Sequence, residues 1–139
     1  LNYLIDTCVI SELSKTKPNA AVEKWFSNID PKYLYVSVLT LGELQKGVAR
    51  LPRSSKRIQL EQWIDTSLLT HFEDRILPIT AEVARESGNL QARAEKSGQK
   101  LPSIDSLLAA TAIVHRLTVV TRNVTDLEAT GIAILNLWI

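Results

Sequence analysis

The chain has 139 residues, 45% hydrophobic and 22% charged, enough for one domain spanning 1–139 with a sizeable core, and this excludes a disordered protein. Sixteen Lys and Arg against fifteen Asp and Glu leave a net charge of +1, which excludes a nonspecific basic nucleic-acid coat and an acidic tail but not a local basic groove. The single cysteine excludes a disulfide framework and any all-cysteine metal site, and fits a reducing cytoplasm.

No apolar run reaches the ~20 residues that a membrane span needs, so no membrane association is expected. Leu1 to Ile5 is too short for a signal peptide and lacks a basic start. With no methionine in the chain, the initiator is expected to have been removed or left out of the numbering.

In chain order, Asn2 to Asp6 reads as a buried strand turning into a helix that ends at Leu13. Asn19 is the expected N-cap of a second helix, with Val22, Trp25, Phe26 and Ile29 on one face. Asp30-Pro31 ends it, and Tyr33 to Val38 is a β-branched and aromatic strand. Thr40 to Ala49 reads as a helix. Ser54 or Ser55 then caps a long helix with the stripe Leu60, Trp63, Ile64 and Leu68.

Arg75 to Ile79 is a short third strand, placed at an edge by Pro78. Thr80 caps a helix to Lys96, with Gly98 at C′. Ile104 to His115 is helical, Leu117 to Thr121 is the fourth strand, Asn123 to Glu128 a helical turn, and Ile132 to Asn136 the last strand. Strands separated by helices imply parallel pairing. The expected fold is a three-layer α/β/α sandwich around a parallel sheet of about five strands.

That topology places acids. Ligands of open parallel sheets bind beyond the carboxyl ends of the strands. Asp6 ends the first strand there. Glu43 and Asp105 lie in the first turns of helices that begin at the same rim. Thr121 ends the fourth strand, followed by Arg122, Asn123 and Asp126.

Each acid also has a local explanation. Thr40 to Glu43 reads as a capping box, Asn123 to Asp126 as a cap with an acid at N3, Asp105 as a helix-dipole residue, and Asp6 as a cap. The joint reading is stronger, because several carboxylates on one rim repel unless a cation joins them. An all-oxygen donor set without His or Cys points to Mg²⁺, or Mn²⁺, rather than zinc.

The blocks Leu4 to Glu12, Leu39 to Gly47, Ile104 to Ala112 and Val120 to Leu127 together resemble the PIN-domain signature of VapC-type toxins. The resemblance runs in order along the whole chain, including the last strand with Trp138. It implies a Mg²⁺-dependent endoribonuclease, the toxin of a type II toxin–antitoxin pair, usually dimeric and silenced by a cognate antitoxin. It implies Asp6 and Asp105 as principal metal ligands, Glu43 as a direct or water-mediated ligand, and Asp126 as the fourth acid. Thr121 and Asn123 would orient metal-bound water or a phosphate oxygen. The chain departs from the usual pattern at Cys8, where asparagine is common. Some members also carry an acid at the place of Asn123, so the fourth-acid role falls either to Asp126, compensating from one turn along, or to the Asn123 position.

Other residues receive plainer readings. His71 and His115 sit at expected helix C-termini, where a histidine complements the dipole. Ser11 touches a phosphate or only a backbone carbonyl. Lys46, Arg50, Arg53, Lys56 and Arg57 form either a solvated face or a track for an RNA backbone beside Glu43. Arg122 is expected to touch a phosphate. Leu51 and Trp63 are the expected anchors for an antitoxin helix, whose basic side chain would enter the acid rim. Apolar area on the helices of Trp25, Phe26 and Trp63 suggests a homodimer.

Three other rim-acid or nucleotide folds fail on single residues. A dehalogenase-type phosphatase needs an acid at Cys8, a receiver domain needs one at Ile79-Thr80, and a dinucleotide fold needs a glycine-rich first turn. The remaining alternative is a PIN-like module that binds RNA or protein without cleaving it.

Overall fold

The computed structural model describes residues 1–139. Five strands, β1 (Tyr3–Ile5), β2 (Leu34–Ser37), β3 (Ile76–Leu77), β4 (Thr118–Val120) and β5 (Ile134–Leu135), form one sheet in the order β3-β2-β1-β4-β5. Every pairing is parallel, and Leu4 of β1 lies between Tyr35 and Val119. The expected parallel α/β/α sandwich is the fold observed, with β3 at an edge as Pro78 requires.

Alternation along the strands separates two cores. Ile5, Val36 and Val120 face one layer, packing with Val9, Ile10, Val22, Val48, Ile64, Leu68 and Phe72. Leu4 and Val119 face the other, against Val83, Leu90, Leu108, Ala109 and Leu127. The first layer comprises α1 (Thr7–Leu13), α2 (Ala20–Asn28), α3 (Val38–Ala49), α4 (Ser55–Gln62) and α5 (Leu69–Phe72). The second comprises α6 (Ala81–Lys96), α7 (Ser103–His115) and α8 (Val124–Leu127). Between α6 and α7 the buried Ser87 and Ser106 hydroxyls share a 2.5 Å hydrogen bond, and the Ser106 hydroxyl also bonds the Ser87 carbonyl at 3.0 Å.

Asn19 caps α2, Ser54 caps α4 and Thr80 caps α6, as expected. Gly98 takes the left-handed conformation just past α6, with φ of +70°. Three local expectations are corrected. First, α3 begins at Val38 rather than Thr40, because the Ser37 hydroxyl accepts the Leu39 N–H at 3.0 Å and starts the helix earlier. Thr40 is buried inside the first turn with its hydroxyl unpartnered, so there is no capping box with Glu43.

Second, the long helix after Ser54 is not uniform. Residues Trp63–Leu68 form a π segment between α4 and α5. Leu60, Ile64, Leu68 and Phe72 recur every four residues, and each such step drifts about 40° around a helix of 3.6 residues per turn. The slower winding of i→i+5 turns cancels part of that drift and keeps the stripe on the core.

Third, His71 is not a charged complement to a helix dipole. Its ring stacks on Phe26 at 5.5 Å, and its Nε2 is buried without a partner. The nearby Arg75 guanidinium donates to the carbonyls of Pro31, Leu34 and His71, tying α5 to β2. Trp25 and Phe26, read as spare apolar area, pack partly against the first core, with Trp25 edge-on to Tyr3.

Burial first, and the Arg75 charge second, hold the His71 pKa below its ordinary value. The folded protein keeps the imidazole neutral, while the unfolded chain binds a proton below about pH 6.5. This contribution to stability is complete above that pH and is lost as pH falls toward the depressed folded value. Melting temperatures at pH 7.5 and 5.5 should therefore drop further for the wild type than for His71→Gln. Equal drops would refute the neutral histidine with its buried Nε2.

Candidate metal centre

The site begins where β1 stops. The chain runs from β1 to β2 and β3 on one side of the sheet, then returns to β4 and β5 on the other. The carboxyl ends of β1 and β4 therefore flank the point where strand order reverses. Asp6 follows β1, and its N–H donates to the Val120 carbonyl at 3.0 Å. Its side chain is held from two directions. Oδ1 accepts the Thr7 N–H at 2.8 Å, and Oδ2 accepts the Thr121 hydroxyl at 2.7 Å. The capping role and the rim position are thus the same placement.

Glu43 comes from α3. With no capping box to occupy it, its Oε1 accepts the Thr7 hydroxyl at 2.7 Å. Thr7, bonded to Asp6 through its N–H and to Glu43, 36 positions along the chain, through its hydroxyl, links the two acids, a role that sequence reasoning missed. Its only local signal is a hydroxyl residue directly after the strand-terminal acid. Asp105 projects from the first turn of α7, whose N-cap position is Pro102 without a side-chain cap. Asp6, Glu43, Asp105 and Asn123 line one cleft of about 380 Å³ with Thr7, Cys8 and Ser11, walled by Leu39, Ile104 and Leu108.

Charge in this cleft is uncompensated. None of the four acids is within ion-pair distance of a basic side chain. The Asp105 carboxyl is raised above its ordinary pKa, chiefly by burial, then by Asp126, Asp6 and Glu43. A helix-dipole residue would be shifted the other way. Three carboxylates do not close on a single point; they stand apart around the cleft. Hard anionic oxygens, unpaired and mutually repelling, fit a divalent cation of the Mg²⁺ or Mn²⁺ type.

Two residues stand differently from their sequence reading. Thr121 is fully buried. Its hydroxyl donates to Asp6 and accepts the Asn123 N–H at 2.9 Å, so it steadies an acid rather than reaching into the cleft. The Asn123 side chain makes no cap hydrogen bond to α8 and lines the cleft instead. Without that cap there is no local pairing to occupy Asp126, which is exposed at the side of the cleft, in the first turn of α8.

Cys8 lies beneath the acids, its Sγ 3.8 Å from Asp6 Oδ2 and 3.5 Å from the Thr121 hydroxyl, accepting the Arg122 N–H at 3.3 Å. Burial, as the largest cause, pushes its thiol pKa up, so it remains protonated.

The basic cluster divides. Lys46 and Arg50 line a groove of about 580 Å³ that shares Thr7, Leu39, Glu43 and Ile104 with the acid cleft. Arg57 is instead tied to Glu61 and the Leu51 carbonyl, while Arg53 and Lys56 are exposed away from the groove. Arg122 lies over the Trp138 ring at 5.5 Å and does not line the cleft. The expected anchor Trp63 packs against the core. The exposed apolar residues beside the acids are Val38 and Ile104, at 37% and 44% exposure, each in the first turn of a helix.

The Thr121 hydroxyl gives a direct test. Thr121→Val keeps the shape but strips one partner each from Asp6 and the Asn123 amide, which should cost about 1–3 kcal/mol. Thr121→Ser retains both bonds and should lose about 0.8 kcal/mol for the missing methyl. Urea denaturation should rank wild type above Ser above Val; Val equal to wild type would remove the hydroxyl from the support of Asp6.

A PIN-domain family model matches residues 3–131. The VapC ribonuclease Y4jK of Sinorhizobium fredii is 35% identical over 135 residues, covering 97% of this chain and 96% of its own. Toxin FitB of Neisseria gonorrhoeae is 36% identical over 135 residues, covering 97% of each. The crystal structure of FitAcB from Neisseria gonorrhoeae superposes with a TM-score of 0.92 at 35% identity, covering 98% of both chains. No helix in the structure is long and apolar enough to cross a membrane. With the acids of β1, α3, α7 and α8 gathered at one rim of a parallel sheet, and with relatives matched along nearly its whole length, the chain belongs to the PIN-domain family, in the group that contains the VapC and FitB toxins.

Proposed function

We propose that residues 1–139 act as one PIN domain, a Mg²⁺-dependent endoribonuclease, with Mn²⁺ as the alternative ion, and the toxin of a toxin–antitoxin pair in the cytoplasm. The observation that carries this reading is the one cleft that Asp6, Glu43 and Asp105 line together, with Asp126 near enough to act on Asp105 and no basic side chain within ion-pair distance of any of them. When bound, a divalent cation supplies Lewis-acid activation of water and shields charge on a phosphodiester.

The chain's own residues hold and align. Asp6 and Asp105 are the principal ligands, from β1 and α7. Glu43 joins directly or through water, kept in place by the Thr7 hydroxyl. Asp126 reaches from α8 as the fourth acid. Thr121 fixes the Asp6 carboxylate, and Asn123, facing the cleft, donates its amide to a phosphate oxygen or the attacking water. Lys46 and Arg50, at i, i+3 and i+7 from Glu43 on one face of α3, draw the RNA backbone to the cleft, with Ser11 at its edge.

The antitoxin is expected to press an apolar segment on Val38 and Ile104 and to place a basic side chain among the carboxylates, where it offsets their repulsion. The toxin is expected to form an isologous homodimer.

Asp105→Asn separates catalysis from folding. If Asp105 is a ligand, RNA cleavage in Mg²⁺ should fall by orders of magnitude, since hard cations depend on anionic oxygen. The metal-free fold should hold or gain, by up to roughly 1 kcal/mol after allowance for solvent screening of these partly exposed charges. A variant that is less stable in thermal unfolding yet cleaves RNA at the wild-type rate would overturn the assignment, and wild-type protein without cleavage would favour a noncatalytic module.

A further inference from the structure

A second cleft has one of the four acids, Asp126, in its wall and lies in the other helical layer from Lys46 and Arg50. It lies between the last turn of α6, the connection from Ser97 to Leu101, and the turn that follows α8. Its volume is about 340 Å³, within the size range of small-ligand sites. Asp126 is part of its wall, so it adjoins the acid centre.

The lining has three chemical parts. Arg93 and Lys100 bring two cations, and neither forms an ion pair or a side-chain hydrogen bond in the protein. Gln99 offers an amide without an internal partner. The Thr130 hydroxyl already donates to the Leu127 carbonyl at 2.5 Å, so toward a ligand it can only accept. Leu90 and Leu101 supply apolar surface. Two free cations suit phosphate, an accepting hydroxyl suits a ribose hydroxyl, and an apolar wall suits the face of a base.

Electrostatics gives the cleft a purpose. Four carboxylates repel a polyanion from the place where it must be cut. A bound divalent cation offsets that repulsion at the scissile phosphate, and basic side chains on either side extend the attraction to the neighbouring phosphates. Lys46 and Arg50 provide one side, next to Glu43; Arg93 and Lys100 provide the other, next to Asp126.

We propose that the Arg93–Lys100 cleft binds the nucleotide and phosphate of single-stranded RNA on the Asp126 side of the scissile bond. The proposal rests on the nuclease reading and extends it to the path of the substrate.

The test uses the full chain and a fluorescently labelled RNA 12-mer of mixed sequence. Cleavage is measured in Mg²⁺, and binding by anisotropy across a salt series in the noncleaving Asp6→Asn background. Arg93→Gln/Lys100→Gln should weaken binding and reduce the slope of log affinity against log salt by about 1.4, the value for two single-strand phosphate contacts. Lys24→Gln/Arg85→Gln removes the same net charge elsewhere and should leave the slope unchanged. A merely structural effect of the first pair would lower affinity without altering the slope.

Wild-type protein that cleaves RNA, with a slope that Arg93→Gln/Lys100→Gln does not change, overturns the cleft assignment alone. An equal fall in slope for the control pair overturns it as well, since general charge then explains the effect. Wild-type protein that neither cleaves nor binds the RNA overturns the cleft and the nuclease reading together.

Discussion

Mutual repulsion among carboxylates at the end of β1 is the constraint around which the rest of the molecule is arranged. Asp6, Glu43, Asp105 and Asp126 come from four separate elements, and the Asp105 carboxyl registers the other three. Such a grouping opposes folding, and the protein offsets it with a stiff frame. Asp6 is bonded to the first amide of α1 and to a buried threonine of the neighbouring strand end. Glu43 is bonded to Thr7. Carboxylates held this way lose little freedom when a cation binds, so the cost of ordering the site is met during folding.

The frame depends on the two cores. β1 is central and covered on both sides, with Leu4 and Ile5 fully buried in opposite layers. A three-residue strand is short, but pairing on both edges fixes its register, and a slip of one residue would exchange Leu4 with Ile5 and carry Asp6 away from Thr121. On the second layer, α7 presents Ala109, Ala110 and Ala112, small enough for close packing, while Ser87 and Ser106 satisfy each other within the contact. The same helix carries Asp105 in its first turn, one residue before Ser106.

Charge outside the acid cleft is ordered on a larger scale than the net value of +1 suggests. Basic side chains sit on both flanks of the carboxylates, through Lys46 and Arg50 on α3 and through Arg93 and Lys100 around the end of α6. Other cations are spent internally, as Arg75 is on three carbonyls and Arg57 on Glu61. The unpaired ones are therefore the informative ones, since an exposed cation lining a concave surface is available to an anionic ligand.

The order of strands and helices, the parallel sheet and the convergence of four acids were legible in the sequence. Apolar periodicity is a local property, and the handedness of parallel crossovers turns that local pattern into a topology. Asp6 at a strand end, and Glu43 and Asp105 in first helical turns, follow from that topology.

What the tertiary structure decided were the pairings between distant residues. Ser37 rather than Thr40 starts α3, which releases Glu43 to Thr7. Thr121 turns inward to Asp6, Asn123 turns toward the cleft, and Arg122 turns to Trp138. His71 is neutral because Phe26 and Arg75 reach it from other parts of the chain. Arg93 and Lys100 gain meaning only where α6 ends beside α8. Local sequence fixes which face of an element is apolar. Which polar group meets which depends on distances between elements, and those are set only when both cores are packed.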